Sequence, residues 1–208
     1  MHMPDIFEIW LWLITGCLMV IAHFVGSTPF FLIFGKIFGR QKSKPYESNS
    51  VHASNPKSSN MKLVSLLAFV CDVGKGWLPV WLSGHLMQDP VALGLVGIAA
   101  FLGQLRPLFR RFQGGQVIAT ALGVFLALEP VMGLATTLVW FVTAILSRCS
   151  PAAAITSAAF APLAYAAGGQ FIWSAQWPTG ACMTIVSLLV LNRYRSNLAH
   201  FIKKIKAK

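Results

Sequence analysis

The residues able to do chemistry lie in four short stretches. GQLRPLFRRFQGGQ (103–116) sets Arg106, Arg110 and Arg111 before a Gly114–Gly115 pair and Gln116. ESNSVHASNPKSSN (47–60) is dense in serine and asparagine, and NRYRSN (192–197) closes the last apolar run. Together they offer amides, hydroxyls and guanidiniums, a set suited to a phosphorylated substrate, because arginine grips phosphate through two parallel hydrogen bonds. The Gly pair stands directly before an apolar run. Free N–H groups and the helix dipole favour an anion at such a start. Each piece also has a plainer reading: a glycine turn, polar loops, and arginines that only mark the membrane rim.

The fourth stretch is DVGK (72–75), inside the greasy run LVSLLAFVCDVGKGWLPVWL. Asp72 and Lys75 are three residues apart and share a helix face. Ionisable groups inside a span are costly and mark a functional site by default. A structural ion pair, or a lysine that snorkels to the rim, explains them equally well. His23 and His85 read as packing or rim histidines. Cys17, Cys71, Cys149 and Cys182 are far apart and form no metal or redox motif. They read as small hydrophobes. No Ser-His-Asp set, zinc spacing or P-loop is present.

The elements that must position these groups are hydrophobic. The chain has 208 residues, 56% of them hydrophobic and 11% charged, with mean hydropathy +0.65. A soluble domain carries about 25% charged residues. The composition is that of an all-α integral membrane protein. Seven apolar segments run over about 6–34, 63–87, 91–105, 117–128, 131–147, 151–168 and 179–192. The fourth is short for a span, which takes about 17–25 residues. It fits a tilted, buried or re-entrant helix whose ends are covered by protein. MHMPDIFE has no basic n-region and leads straight into a long span, so no cleavable signal peptide is expected.

Charge sets the orientation. With the N-terminus outside, the inner loops 35–62, 106–116, 148–150 and 193–208 hold 16 of the 17 Lys and Arg residues, Lys75 being the exception. Asp5, Glu8, Asp89 and Glu129, four of the six acids, fall outside. So strong a bias gives seven helices, N-terminus outside and C-terminus cytoplasmic. The net charge of +11 then calls for anionic membrane lipid rather than nucleic acid. Residues 1–192 read as one membrane domain, with loops 35–62 and 106–116 forming the site. Residues 193–208 read as a basic cytoplasmic tail, whose HFIKKIKAK end suits an inner leaflet.

Five motifs, in order, resemble those of the PlsY-type acyl-phosphate:glycerol-3-phosphate acyltransferases. GSTPFFLIFGKIFG (26–39) is similar to the family's GSxPxGxxxGxxxG run, and DVGKGWLPVW (72–81) to its DVxKGxxPVW run. HASNPKSSN (52–60) keeps Asn55, Pro56 and Asn60 of a GSGNPGATN-like motif. FQGGQVIATALG (112–123) keeps the frame of FKGGKGVATAxG, and RYRSN (193–197) stands where the family ends its last helix in RHxxN. The likeness runs from residue 26 to about 197.

The resemblance implies seven helices in a bacterial inner membrane, with the site facing the cytoplasm. It implies acyl transfer from acyl phosphate to glycerol 3-phosphate, giving lysophosphatidic acid for phospholipid synthesis, without metal or cofactor. Carried over residue by residue, it implies catalytic roles for Asn55, Asn60 and Asn197. It implies substrate contacts for Gly114, Gly115 and Arg193, which match the pattern; Ser54, Lys57, Arg110, Arg111 and Gln116 stand beside them as this chain's own substrate-binding candidates. Several positions depart from the pattern. Ala53 replaces a serine, Leu63 an arginine, Gln104 a histidine, Gln116 a lysine and Tyr194 a histidine. About five residues are missing between Asn60 and Asp72. Arg110, Arg111 and Lys57 are the candidates to substitute for the lysine charge lost at Gln116. Two further readings stay open: a catalytically silent scaffold or lipid-binding protein of the same fold, and a carrier of an anionic lipid or phosphate ester. Protein partners are not legible.

Overall fold

In the computed structural model, residues 6–38, 59–106, 117–169 and 176–206 are described. Among them the chain is all helix: α1 Ile6–Gly26, α2 Phe30–Phe38, α3 Ser59–Met87, α4 Pro90–Leu105, α5 Val117–Leu128, α6 Pro130–Ser147, α7 Ser150–Gly168 and α8 Trp177–Lys206. Three stretches, Glu8–Gly26, Leu63–Met87 and Pro130–Ser147, are long and apolar enough to cross a bilayer, while α4 and α5 are shorter apolar helices.

The first apolar run differs from the expected single segment 6–34. It is broken into α1 and α2 by an elbow at Ser27–Thr28–Pro29. Helical geometry is disfavoured for the residue before a proline, and α1 ends at Gly26, short of Thr28. Its last turn tightens instead: the Ser27 amide donates to His23 O at 3.0 Å and the Thr28 amide to Val25 O at 3.2 Å. Pro29 then opens α2, where its missing N–H costs nothing. The Leu32 and Ile33 amides donate to its carbonyl.

Tight turns separate α3 from α4, α5 from α6, and α6 from α7. Asp89 accepts from the Val91 amide at 2.8 Å and caps α4, with Pro90 at the first helical position. Glu129–Pro130 and Cys149–Ser150–Pro151 start α6 and α7 in the same proline-led way.

The bundle is built around α5. Every residue from Val117 to Phe125 is buried, which satisfies the condition that a short helix at membrane depth be wrapped in protein. Helix α5 packs on α3, α4, α6 and α8; α1 packs on α4, and α7 lies between α6 and α8. Small residues allow the close crossings, as they do wherever lipid supplies no hydrophobic drive between helices. A Cβ on Gly76 would strike the Thr120 carbonyl, and one on Gly123 the Val73 carbonyl. Gly26 and Gly103 pair α1 with α4 in the same way, against Ala100 and His23. Cys182 is buried beside Gly94 and Gly97, the packing role expected of it, whereas Cys17 is exposed. Trp10, Phe24, Leu138, Ile145, Leu146 and Leu163 are also exposed, an apolar surface that only an interface or a membrane tolerates.

Candidate active site

Asp72 and Lys75 form the polar centre of the described bundle. Lys75 Nζ lies 2.7 Å from Asp72 Oδ1, with the two side chains only 2% and 4% exposed. The same Nζ donates to the Thr28 carbonyl at 3.0 Å and sits 5.7 Å from the centroid of the Phe30 ring. The lysine therefore does not snorkel. It reaches across from α3 to the elbow between α1 and α2.

The elbow is held from a second side. Ser27, 3% exposed, has its Oγ 2.8 Å from His23 O and 3.2 Å from Gly103 O. Gly103 lies in the last turn of α4. Four helices thus meet where Ser27 and Thr28 stand: α1 and α2 through the chain, α3 through Lys75, and α4 through Gly103.

The depth of α5 relative to this junction follows from its neighbours. Gly76 and Gly123 mark the crossing of α3 and α5. Gly133 of α6 packs on Leu126 of α5 just after the turn at Glu129. Trp140 lies two turns further along α6, about 10 Å back towards the start of α5. Its ring stacks on Phe69 of α3 at 5.2 Å. Phe69 precedes Gly76, so the stack closes only if α3 and α5 run in the same direction. Counting back from the crossing at about 1.5 Å per residue brings the first turn of α5 level with Asp72. The ion pair and the α5 N-terminus therefore share one layer of the bundle. Thr120, fully buried in that turn, has a hydroxyl with no hydrogen-bond partner among the described residues.

The other expected site residues fare unevenly. Asn60 stands in the first turn of α3 and Asn197 in the last third of α8. Arg193 is exposed on α8, and Tyr194 is half-buried and packed against the core. Ser54, Asn55, Lys57, Arg110, Arg111, Gly114, Gly115 and Gln116 lie outside the described residues. Sequence reasoning missed the Ser27 hydroxyl and the Thr28 carbonyl. Pro29 was the available signal, since a proline inside an apolar run announces a break.

The fold and this layer define a class: a small helical integral membrane protein with a charged pair buried among its helices. A family model described as glycerol-3-phosphate acyltransferase matches residues 16–204. The chain belongs to that family. It is 38% identical over 191 residues, 91% of this chain and 89% of the relative, to a glycerol-3-phosphate acyltransferase of Bordetella pertussis. It is 39% identical over 181 residues, 86% of this chain and 84% of the relative, to one of Burkholderia ambifaria. The fold is similar to crystal structures of PlsY (YgiH), an integral membrane glycerol 3-phosphate acyltransferase. In the glycerol 3-phosphate form the TM-score is 0.76 at 26% identity, covering 91% of this chain and 92% of that one. In the lysophosphatidic acid form it is 0.74 at 27% identity, with the same coverage.

Proposed function

We propose that this chain transfers a fatty acyl group from acyl phosphate to a hydroxyl of glycerol 3-phosphate. An ester bond forms, the acyl–phosphate bond breaks, and lysophosphatidic acid and phosphate are released. The observation that carries this reading is membership of the glycerol-3-phosphate acyltransferase family across residues 16–204. The related PlsY structures were obtained in glycerol 3-phosphate and lysophosphatidic acid forms, the acceptor and product of this reaction. The silent-scaffold reading is not favoured by relatives that carry the enzyme name at 38% identity.

Acyl phosphate is already a reactive mixed anhydride. Catalysis is then mostly the positioning of two anions and the neutralisation of their charge. In this chain Gly114 and Gly115 bring backbone N–H groups to a phosphate at the start of α5. Arg110, Arg111 and Lys57 supply the charge that Gln116 does not. Ser54 and Arg193 complete the substrate contacts, and Asn55, Asn60 and Asn197 orient the reacting groups. Seven crossings, by α1 and α3 to α8, put the N-terminus outside and these loops on the cytoplasmic side of a bacterial inner membrane, with α2 beside them. The inner placement of 16 of the 17 Lys and Arg residues supports this.

The test is direct. Purified protein in lipid, given acyl phosphate and glycerol 3-phosphate, should yield lysophosphatidic acid. No product, with no calorimetric binding of either substrate, would leave the scaffold.

A further inference from the structure

We propose that Lys75 is a positioning residue: it locks the elbow between α1 and α2 onto α3, and so sets the alignment of the two loops that serve the substrates. The inference rests on the acyltransferase reading, and it assigns Lys75 no contact with substrate.

Three observations carry it. Lys75 Nζ spends its donors inside the protein, on Asp72 Oδ1 at 2.7 Å and the Thr28 carbonyl at 3.0 Å. At 2% exposure it has no face turned to solvent. Its third neighbour is the face of Phe30, the first residue of α2, an arrangement that attracts a cation. The ammonium therefore grips both ends of the elbow, Thr28 and Phe30, and Asp72 holds it in place.

The elbow adjoins, along the chain, both segments that carry the proposed substrate contacts. Helix α2 ends at Phe38 and leads into 39–58, which carries Ser54, Asn55 and Lys57. Ser27 ties the other side of the elbow to Gly103, one turn before the segment that carries Arg110, Arg111, Gly114 and Gly115. Pro79 lies four residues after Lys75 and removes the amide that would bond the Lys75 carbonyl. Helix α3 is thus weakened where Lys75 stands, and the side-chain contacts replace rigidity lost from the backbone. Misplacing reacting groups by about 1 Å costs about a hundredfold in rate.

The test uses the full chain in lipid. Asp72→Asn combined with Lys75→Met removes the clamp without leaving a lone buried charge. Turnover, KM for both substrates and hydrogen exchange of the Ser27–Leu32 amides are read together. Expected are a kcat about 10- to 100-fold lower, KM values within about threefold of the parent, and faster exchange at the elbow. Parental kcat, parental elbow exchange, or a change confined to KM would each overturn the proposal. If the double variant does not fold, Phe30→Ala carries the test, because it strips the ring from the ammonium and spares the ion pair. It should lower kcat and loosen the elbow, and parental values of both would overturn the proposal. A parent with no turnover fells the acyltransferase reading instead, and elbow exchange alone then decides the clamp.

Discussion

Gly123 of α5 lies flush against the Val73 carbonyl of α3, with no room for a Cβ between them. Gly76 repeats the relationship from the other helix, against the Thr120 carbonyl. Backbone cannot swing aside as a side chain can, so Gly123→Ala or Gly76→Ala must push the two helices apart. Overpacking of this kind costs about 1–3 kcal/mol, or more where nothing yields. Gly74→Ala, in the same helix with nothing within 4 Å of its Cβ, serves as the control. Thermal unfolding in detergent should separate the two groups: a clear loss for Gly76 and Gly123, and parental stability for Gly74. Equal behaviour of all three would refute the crossing.

The buried ion pair makes a second prediction. Asp72→Ala leaves the Lys75 ammonium without its counter-charge at 2% exposure. Breaking a buried pair from one side costs about 3–5 kcal/mol. Neutralising both partners together, as Asp72→Asn with Lys75→Met, should cost much less, because no lone charge is stranded. The pair of unfolding curves is the check. If the single variant is as stable as the parent, the pair is not buried in the membrane protein as it exists.

These contacts show how far the sequence could be read. The i, i+3 spacing announces that Asp72 and Lys75 share a face, and Lys75 Nζ lies 2.7 Å from Asp72 Oδ1. The third partner, the Thr28 carbonyl, is backbone and leaves no mark in the residue types. The elbow itself was hidden because apolar residues continue on both sides of it. Hydropathy sums over the break, and only Pro29 betrays it. The burial of α5 was legible in its length, since 12 residues are too few to face lipid alone. Its level beside Asp72 was not, because it depends on the Phe69–Trp140 stack and on glycine crossings between distant segments.

Topology can be tested without enzymology. The 16 inner cations argue that the C-terminus lies in the cytoplasm and the N-terminus outside. Cysteine or protease tags at each end should react from opposite sides of sealed inner-membrane vesicles. Both ends on one side would remove a crossing, and the short α5 would be the first helix to reconsider.

The last prediction concerns the substrate loops. Gly115→Val puts a branched side chain where backbone N–H groups are proposed to meet phosphate, and turnover should be abolished while the fold survives. Arg110→Gln with Arg111→Gln removes two charge-assisted donors. Hydrogen bonds to charged groups are worth about 1.5–3 kcal/mol each, so KM for at least one substrate should rise about tenfold or more. Gln116→Lys works the other way. The motif that FQGGQVIATALG resembles has a lysine at this position, and a neutral amide cannot supply its charge. Restoring it should raise kcat/KM if Arg110 and Arg111 only partly compensate. If they compensate fully, Gln116→Lys alone changes little, but it rescues the double arginine variant. Full activity in the arginine variant, with no response to Gln116→Lys, would show that the phosphate is held elsewhere.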